Sequence, residues 1–166
     1  MTVTPDDIKV AMRLWASGVT VVTTAEGNSR AGTTASSFTS VALTPPLILV
    51  CLYHEVETTR LIERHGHFAV SVLAEGQDAV STQMAGFGDL PPDEDRFYGI
   101  NWVTKETGSL VYADAAAWFD CRLYAMYEGG THKIVVGEVV ATGRQAEDVP
   151  PLLYHNSGYR QMVPGS

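Results

Sequence analysis

The run from Ala115 to Gln145, "AAAWFDCRLYAMYEGGTHKIVVGEVVATGRQ", constrains this chain more than any other. It reads as two long β-strands joined at "EGGT", whose glycines suit a hairpin turn. Other β-type segments accompany it. "VTVVTTAEGNSRAGTTASSF" reads as two strands around a turn at "EGNS", "PLILVCLY" as a continuous apolar strand in a central position, and "HFAVSVLA" as an alternating strand. The helical segments are short. "TPDDIKVAMRLWASG" has Thr4 as N-cap, Pro5 at the first helical position, and Ile8, Met12 and Trp15 at helical spacing, which predicts a helix ending at Gly18. "VETTRLIERHG" predicts a helix closed by Gly66, and "EGQDAVSTQMAG" predicts another. "FGDLPPDEDRFY" (Phe87–Tyr98) predicts a polar loop of the length that often covers a site. "PPLLYHNSGYRQM" is too short and aromatic for a stable independent element. With strands dominant and no βαβ repeat, the pattern predicts a small β-barrel with flanking helices rather than a doubly wound sheet.

The totals set limits on partners. The 166 residues are 45% hydrophobic and 18% charged, which suits one domain over 1–166 with a real core. A net charge of -8 argues against a nucleic-acid or anionic-membrane surface. It leaves room for a local basic pocket, because Arg30, Arg60, Arg64, Arg96 and Arg160 are scattered and could converge. Cys51 and Cys121 each sit in an apolar run, as buried thiols of a cytoplasmic protein would, rather than as a disulfide. The start "MTVTPDDIKV" lacks the pattern of a signal peptide, and no apolar run approaches the roughly 20 residues of a membrane span.

Several chemistries lack their residues. There is no CxxC pair, no HExxH, and no metal spacing among His54, His65, His67, His132 and His155. "ASGVT" is not a nucleophile elbow, and neither a GxGxxG nor a P-loop is present. What stands out is "AGTTASSFTS", Ala31 to Ser40, a hydroxyl-rich run leading into an apolar strand. Thr34, Ser36, Ser37 and Ser40, with the amides between them, suit the polar edge of a planar heterocycle or a phosphate. Gly32 would let a ligand approach the backbone. A turn and strand with solvated hydroxyls is the competing reading. "CLYHEVETTRLI" passes from strand to helix with Thr58 and Thr59 near the helix start, which fits a phosphate site or plain N-capping. His132 opens a strand after "EGG", as a ligand contact or a solvated turn residue.

Taken in order, "ASGVTVVTT", "GTTASSFTSVALTPPLILVCL", "FAVSVLAEGQ", "MAG", "DRFYGINW", "DAAAWFDC", "GGTHKIVVGEV" and "PLLYHNSGYR" make the chain resemble the flavin reductase-like family with an FMN-binding split barrel. These are the small reductases that serve two-component monooxygenases, and the resemblance runs from about Val10 to Arg160.

The resemblance implies a mainly β fold: a homodimeric, six-stranded antiparallel split β-barrel that binds FMN or FAD near the subunit interface. It implies that Thr34, Ala35, Ser36, Ser37 and Phe38 lie along the isoalloxazine, with Ser40 close by. It places the backbone of Val50, Cys51 and Leu52 under the ring system and Thr58 at the ribityl phosphate. His132 corresponds to the histidine of the family's "GDH" signature, beside the nicotinamide of NADH or NADPH, with Tyr154 on the same side. The implied activity is NAD(P)H:flavin oxidoreduction, with reduced flavin passed to a partner oxygenase. A flavin-binding carrier, redox sensor or biosynthetic oxidase on the same barrel is the alternative. Three positions depart from the family pattern. Thr131 stands for the usual Asp, Ser71 for a frequent Asn, and Val56 for a frequent Ser two positions before Thr58.

Overall fold

The computed structural model describes residues 2–145 and 149–162. Helix α1 (Pro5–Met12) begins as the sequence predicts. The Thr4 hydroxyl accepts from the Asp7 amide at 3.3 Å, and the Asp7 carboxylate accepts from the Thr4 amide at 2.8 Å. This reciprocal cap satisfies two donors that the helix cannot. The helix stops at Arg13, short of the predicted Gly18. The reason is a competing pairing: Ser17–Gly18 form strand β1, which the C-terminal segment engages. The apolar side chains predicted for one face lie open: Ile8 and Met12 in α1 are 55% and 56% exposed, and Trp15, beyond the end of the helix, is 68% exposed.

Beyond it follow β2 (Thr20–Glu26), β3 (Ser29–Ala35), β4 (Thr39–Leu43), β5 (Pro46–Tyr53), α2 (Glu57–His65), β6 (His67–Val72) and α3 (Asp78–Met84). The chain continues through β7 (Trp102–Thr104), β8 (Leu110–Tyr112), β9 (Ala117–Gly129), β10 (His132–Arg144), β11 (Leu153–His155) and β12 (Gly158–Arg160). The long hairpin read from "EGGT" is β9–β10. Gly27 makes the β2–β3 turn at φ +58°, and Gly66 ends α2 at φ +72°, conformations that favour glycine. Residues 87–98 form no helix or strand, as expected.

One antiparallel sheet of seven strands, in the order β3-β2-β6-β9-β10-β5-β4, dominates. Its edges, β3 and β4, are consecutive in sequence, with only residues 36–38 between them. A flat sheet would hold those edges about 29 Å apart, at roughly 4.8 Å per strand step. The link from Ala35 to Thr39 can span no more than about 15 Å. The sheet therefore curls back toward itself, as a split barrel does, and the mainly β class is the expected one, with seven strands in the sheet where the resemblance implies six. The curl is tied by Ser37, whose hydroxyl donates to the Cys51 carbonyl at 2.8 Å and accepts from the Cys51 amide at 3.0 Å.

Both faces of the middle strands are covered. Val22, Val50, Phe68, Val70, Cys121 and Val135 fill the inside of the curl. Val21, Leu73, Met84, Phe97, Tyr112 and Leu152 form a second core beneath α3 and the β7–β8 hairpin. Two segments differ from expectation. "PLILVCLY" is not central: β5 lies beside the edge strand β4. Ile48, Val50 and Leu52 point into the core, while Leu47, Leu49 and Cys51 stay half-buried on the other face. "PPLLYHNSGYRQM" contains the β11–β12 hairpin, held by β1 in a three-stranded sheet, so it is ordered by partnership and not alone. No helix among the described residues is long and apolar enough to cross a membrane.

Candidate functional site

The exit of β3 and the end of β5 face a cavity of about 370 Å³. Thr33, Thr34, Ala35, Ser36 and Ser37 line one side, and Cys51, Leu52 and Tyr53 another. Val56 at the approach to α2 and His132 at the start of β10 complete it. Strand register explains the placing of His132. It pairs with Tyr53 across β5–β10, and the amide of His54 donates to the carbonyl of Thr131 at 3.1 Å. The turn before β10 is thus fastened to the exit of β5.

The hydroxyl run divides into tied and open members. Thr34 donates to the carbonyl of Ser81 in α3 at 2.6 Å, and Ser37 is committed to Cys51. Ser36 is exposed, and its hydroxyl bonds to no described residue. Half of the signal that suggests ligand binding therefore comes from side chains that hold the fold.

His132 is exposed and oriented by its neighbours. Its Nδ1 lies 2.9 Å from the Thr131 hydroxyl, and its ring meets Tyr53 edge-on with centroids 5.7 Å apart. The Tyr53 ring stacks on His54, and its hydroxyl donates to Glu55 at 2.9 Å. That bond holds the phenol proton and raises the Tyr53 pKa above its usual value. Thr131 stands where the family pattern has a carboxylate, and its hydroxyl engages Nδ1 in that place. The Nε2 edge makes no bond to a described residue.

Two further cavities adjoin. One of about 500 Å³ shares Thr34 and Ser36 and adds Phe87, Tyr154 and Tyr159. The Tyr154 and Tyr159 rings meet edge-on at 5.8 Å, and Tyr159 donates to the Ser81 hydroxyl at 2.8 Å. The other, of about 340 Å³, shares Val56 and continues along β3 through Gly32, Ala31 and Arg30 to Thr58, Arg96 and Phe97.

The structure thus gathers Thr34, Ala35, Ser36, Ser37, Cys51, Leu52 and His132 around one cavity. It puts Thr58 and Tyr154 in the two neighbours. Three candidates stand outside all of these. Val50 is fully buried, Phe38 packs against Phe119 at 5.4 Å, and Ser40 is exposed on the edge strand β4. Tyr53 had no role in the sequence reading, whereas Arg30 and Arg96 are two of the scattered arginines that could converge on a basic pocket. Arg30 and Arg96 lie 66 positions apart and meet only through the fold.

The donor set fits a flavin. Ser36 is exposed and its hydroxyl bonds to no described residue. Thr58 is only 2% exposed yet makes no side-chain hydrogen bond to a described residue, and it opens on a cavity where α2 begins without a side-chain cap. No group of metal-ligating side chains occurs among the described residues.

Comparison with known proteins agrees with this geometry. The flavin reductase like domain matches residues 12–162, and the chain belongs to that family. It is 39% identical over 155 residues to the 4-hydroxyphenylacetate 3-monooxygenase reductase component of Thermus thermophilus, covering 93% of this chain and 95% of the relative. It is 40% identical over 138 residues to a probable flavin reductase of Rhizobium meliloti; the match covers 82% of this chain but only 43% of that longer protein. The NADH:FAD oxidoreductase SgcE6 of Streptomyces globisporus, solved with NAD and FAD fragments, superposes with a TM-score of 0.86 at 33% identity, over 99% of this chain and 98% of that one.

Proposed function

We propose that this chain is an NAD(P)H:flavin oxidoreductase that reduces FMN or FAD and supplies reduced flavin to a partner oxygenase. The observation that carries the reading is the cavity in which the open Ser36 edge and His132 face common space, in a member of the flavin reductase family. When bound, the two cofactors supply the redox chemistry, a hydride passing from nicotinamide to flavin. The protein's work is placement. Ser36 and the amides of residues 34–37 hold the polar edge of the isoalloxazine, where reduction adds negative charge. Cys51 and Leu52 support the ring system, and Thr58 takes the phosphate at the start of α2. His132, held by Thr131 and Tyr53, orients the nicotinamide, and Tyr154 bounds the space beyond Thr34 and Ser36.

A second copy of the chain completes the assembly. The exposed apolar side chains of α1 and the half-buried outer face of β5 are surfaces that a single chain leaves uncovered. Two free thiols suit a reducing, cytoplasmic setting.

The test is steady-state oxidation of NADH and NADPH with catalytic protein and free FMN, FAD or riboflavin. Many turnovers per protein support the proposal. Oxidation that stops at one equivalent of protein-bound flavin would move the assignment to a bound-flavin carrier or oxidase. His132→Ala should raise the apparent KM for the dinucleotide or slow hydride transfer, while flavin affinity stays nearly constant.

A further inference from the structure

The cavity along the outer half of β3 holds a cation that the proposed function leaves without a task. Arg30 sits on its wall with Arg96, Thr58 and the start of α2. Arg30 sends both Nε and Nη2 to one oxygen of Asp95, Oδ2, at 2.9 and 2.7 Å. Its guanidinium lies 4.7 Å over the ring of Phe97. The other Asp95 oxygen, Oδ1, accepts from the Phe97 amide at 2.9 Å, so the turn keeps a hydrogen bond whether or not Arg30 stays. Phe97 itself is buried, and its carbonyl accepts from Trp102 at 3.1 Å. The far end of the 87–98 segment is therefore anchored, and the Arg30 side chain is the part free to move.

The ion pair is a weak hold. Its side chains are 47% and 49% exposed, and both nitrogens share one acceptor oxygen, so no fork-to-fork geometry forms. A phosphate in the same cavity offers several oxygens and more charge. It would also meet the amides at the start of α2 and the hydroxyl of Thr58, a buried residue that lines the cavity and makes no side-chain hydrogen bond to a described residue.

We infer that Arg30 is a phosphate-recognition residue held in reserve by Asp95, and that it makes the chain select phosphorylated flavins over riboflavin. This rests on the flavin site proposed above. Among the described residues the ring-binding cavity is lined by neither Lys nor Arg, while this one is lined by two arginines with two carboxylates, Asp95 paired to Arg30 and Glu57 3.9 Å from Arg60, and β3 runs continuously from one cavity to the other. The same charge offsets the hydroxyl that Val56 does not provide near Thr58.

The experiment is flavin binding by fluorescence quenching, with riboflavin, FMN and FAD, for the wild type, Arg30→Ala and Asp95→Asn. Wild type should bind FMN or FAD more tightly than riboflavin, and the difference should shrink as salt rises. Arg30→Ala should weaken FMN by roughly ten- to a hundredfold and riboflavin by less than about twofold, as loss of charge-assisted hydrogen bonds to phosphate alone predicts. Asp95→Asn frees Arg30 and should tighten FMN by roughly two- to fivefold, with riboflavin unmoved. If Arg30→Ala does not fold, the Asp95→Asn result and the wild-type salt dependence decide. Equal loss of riboflavin and FMN in Arg30→Ala, or wild-type affinities that are equal for the two, would overturn the inference while leaving the flavin site standing. A wild type that binds no flavin at all would overturn both.

Discussion

Replacing Ser37 with Ala should loosen the fold first and the flavin site second. The Ser37 hydroxyl makes two hydrogen bonds to one residue, accepting from the Cys51 amide and donating to its carbonyl. It thereby sews the β3–β4 link to β5 at the place where the sheet curls. Each bond contributes about 0.5 to 1.5 kcal/mol net, so their joint loss costs about 1 to 3 kcal/mol. Ser37 is half-buried, and water that replaces the hydroxyl would bring the cost to the lower end. For a chain of this size each kcal/mol lowers Tm by about 2 to 4 °C, which places the expected drop at about 2 to 12 °C. The assay is thermal unfolding without flavin, followed by near-ultraviolet circular dichroism and compared with Ser36→Ala. The Ser36 hydroxyl bonds to no described residue, so its removal should leave Tm within about 1 °C and weaken flavin by one hydrogen bond, roughly two- to tenfold. An unchanged Tm for Ser37→Ala would refute the structural role. A larger drop for Ser36→Ala than for Ser37→Ala would reverse the assignment.

Gly137→Ala should be strongly destabilising, by about 1 to 3 kcal/mol or more, because an added Cβ would lie 2.5 Å from the Phe68 ring and 2.8 Å from the Cys121 Cβ inside the core; urea unfolding measures it. Stability should fall as pH drops below the ordinary histidine value of 6.5. Burial, then the neighbouring charge of His65, lowers the folded-state pKa of His67. The unfolded chain thus binds the proton first: stability is full above 6.5 and declines as pH falls toward the folded pKa, and the slope should vanish in His67→Gln. One thiol should react quickly with an aromatic disulfide reagent and the other only on unfolding, because Cys51 lines the cavity while Cys121 is fully buried with its pKa raised by burial and by Asp120.

Local signals account for what the sequence made legible. The Thr4 cap, the Gly27 and Gly66 turns and the "EGGT" hairpin are decided by a few neighbouring residues, and each falls where expected. The end of α1 did not, because β1 forms only when a segment more than 130 residues later pairs with it. The place of "PLILVCLY" was misjudged for a related reason. A continuous apolar run reads as a strand buried on both faces, whereas β5 buries one face and leaves the other half-covered in the single chain. The β7–β8 hairpin was missed because its strands are three residues each and carry little periodic signal. At the site, spacing brought attention to the hydroxyl run and His132. It could not tell a hydroxyl that binds a ligand from one that bonds its own backbone, since Ser36 and Ser37 are chemically identical and differ only in what stands opposite.

That difference bears on how such a site is built. A planar ligand needs donors that do not adapt when it arrives, and rigid donors need supports that are themselves satisfied. Thr34 bonded to α3, Ser37 bonded to β5 and Thr131 bonded to His132 are those supports. They flank Ser36 and the His132 Nε2 edge, which bond to no described residue. The tied hydroxyls account for the polar composition of a segment that enters a buried strand, and the untied one is the member that the proposed flavin site uses. The run that reads as a single motif in sequence is therefore two structures interleaved, a clasp across the curl of the sheet and an open edge, the proposed ligand contact, held still by that clasp.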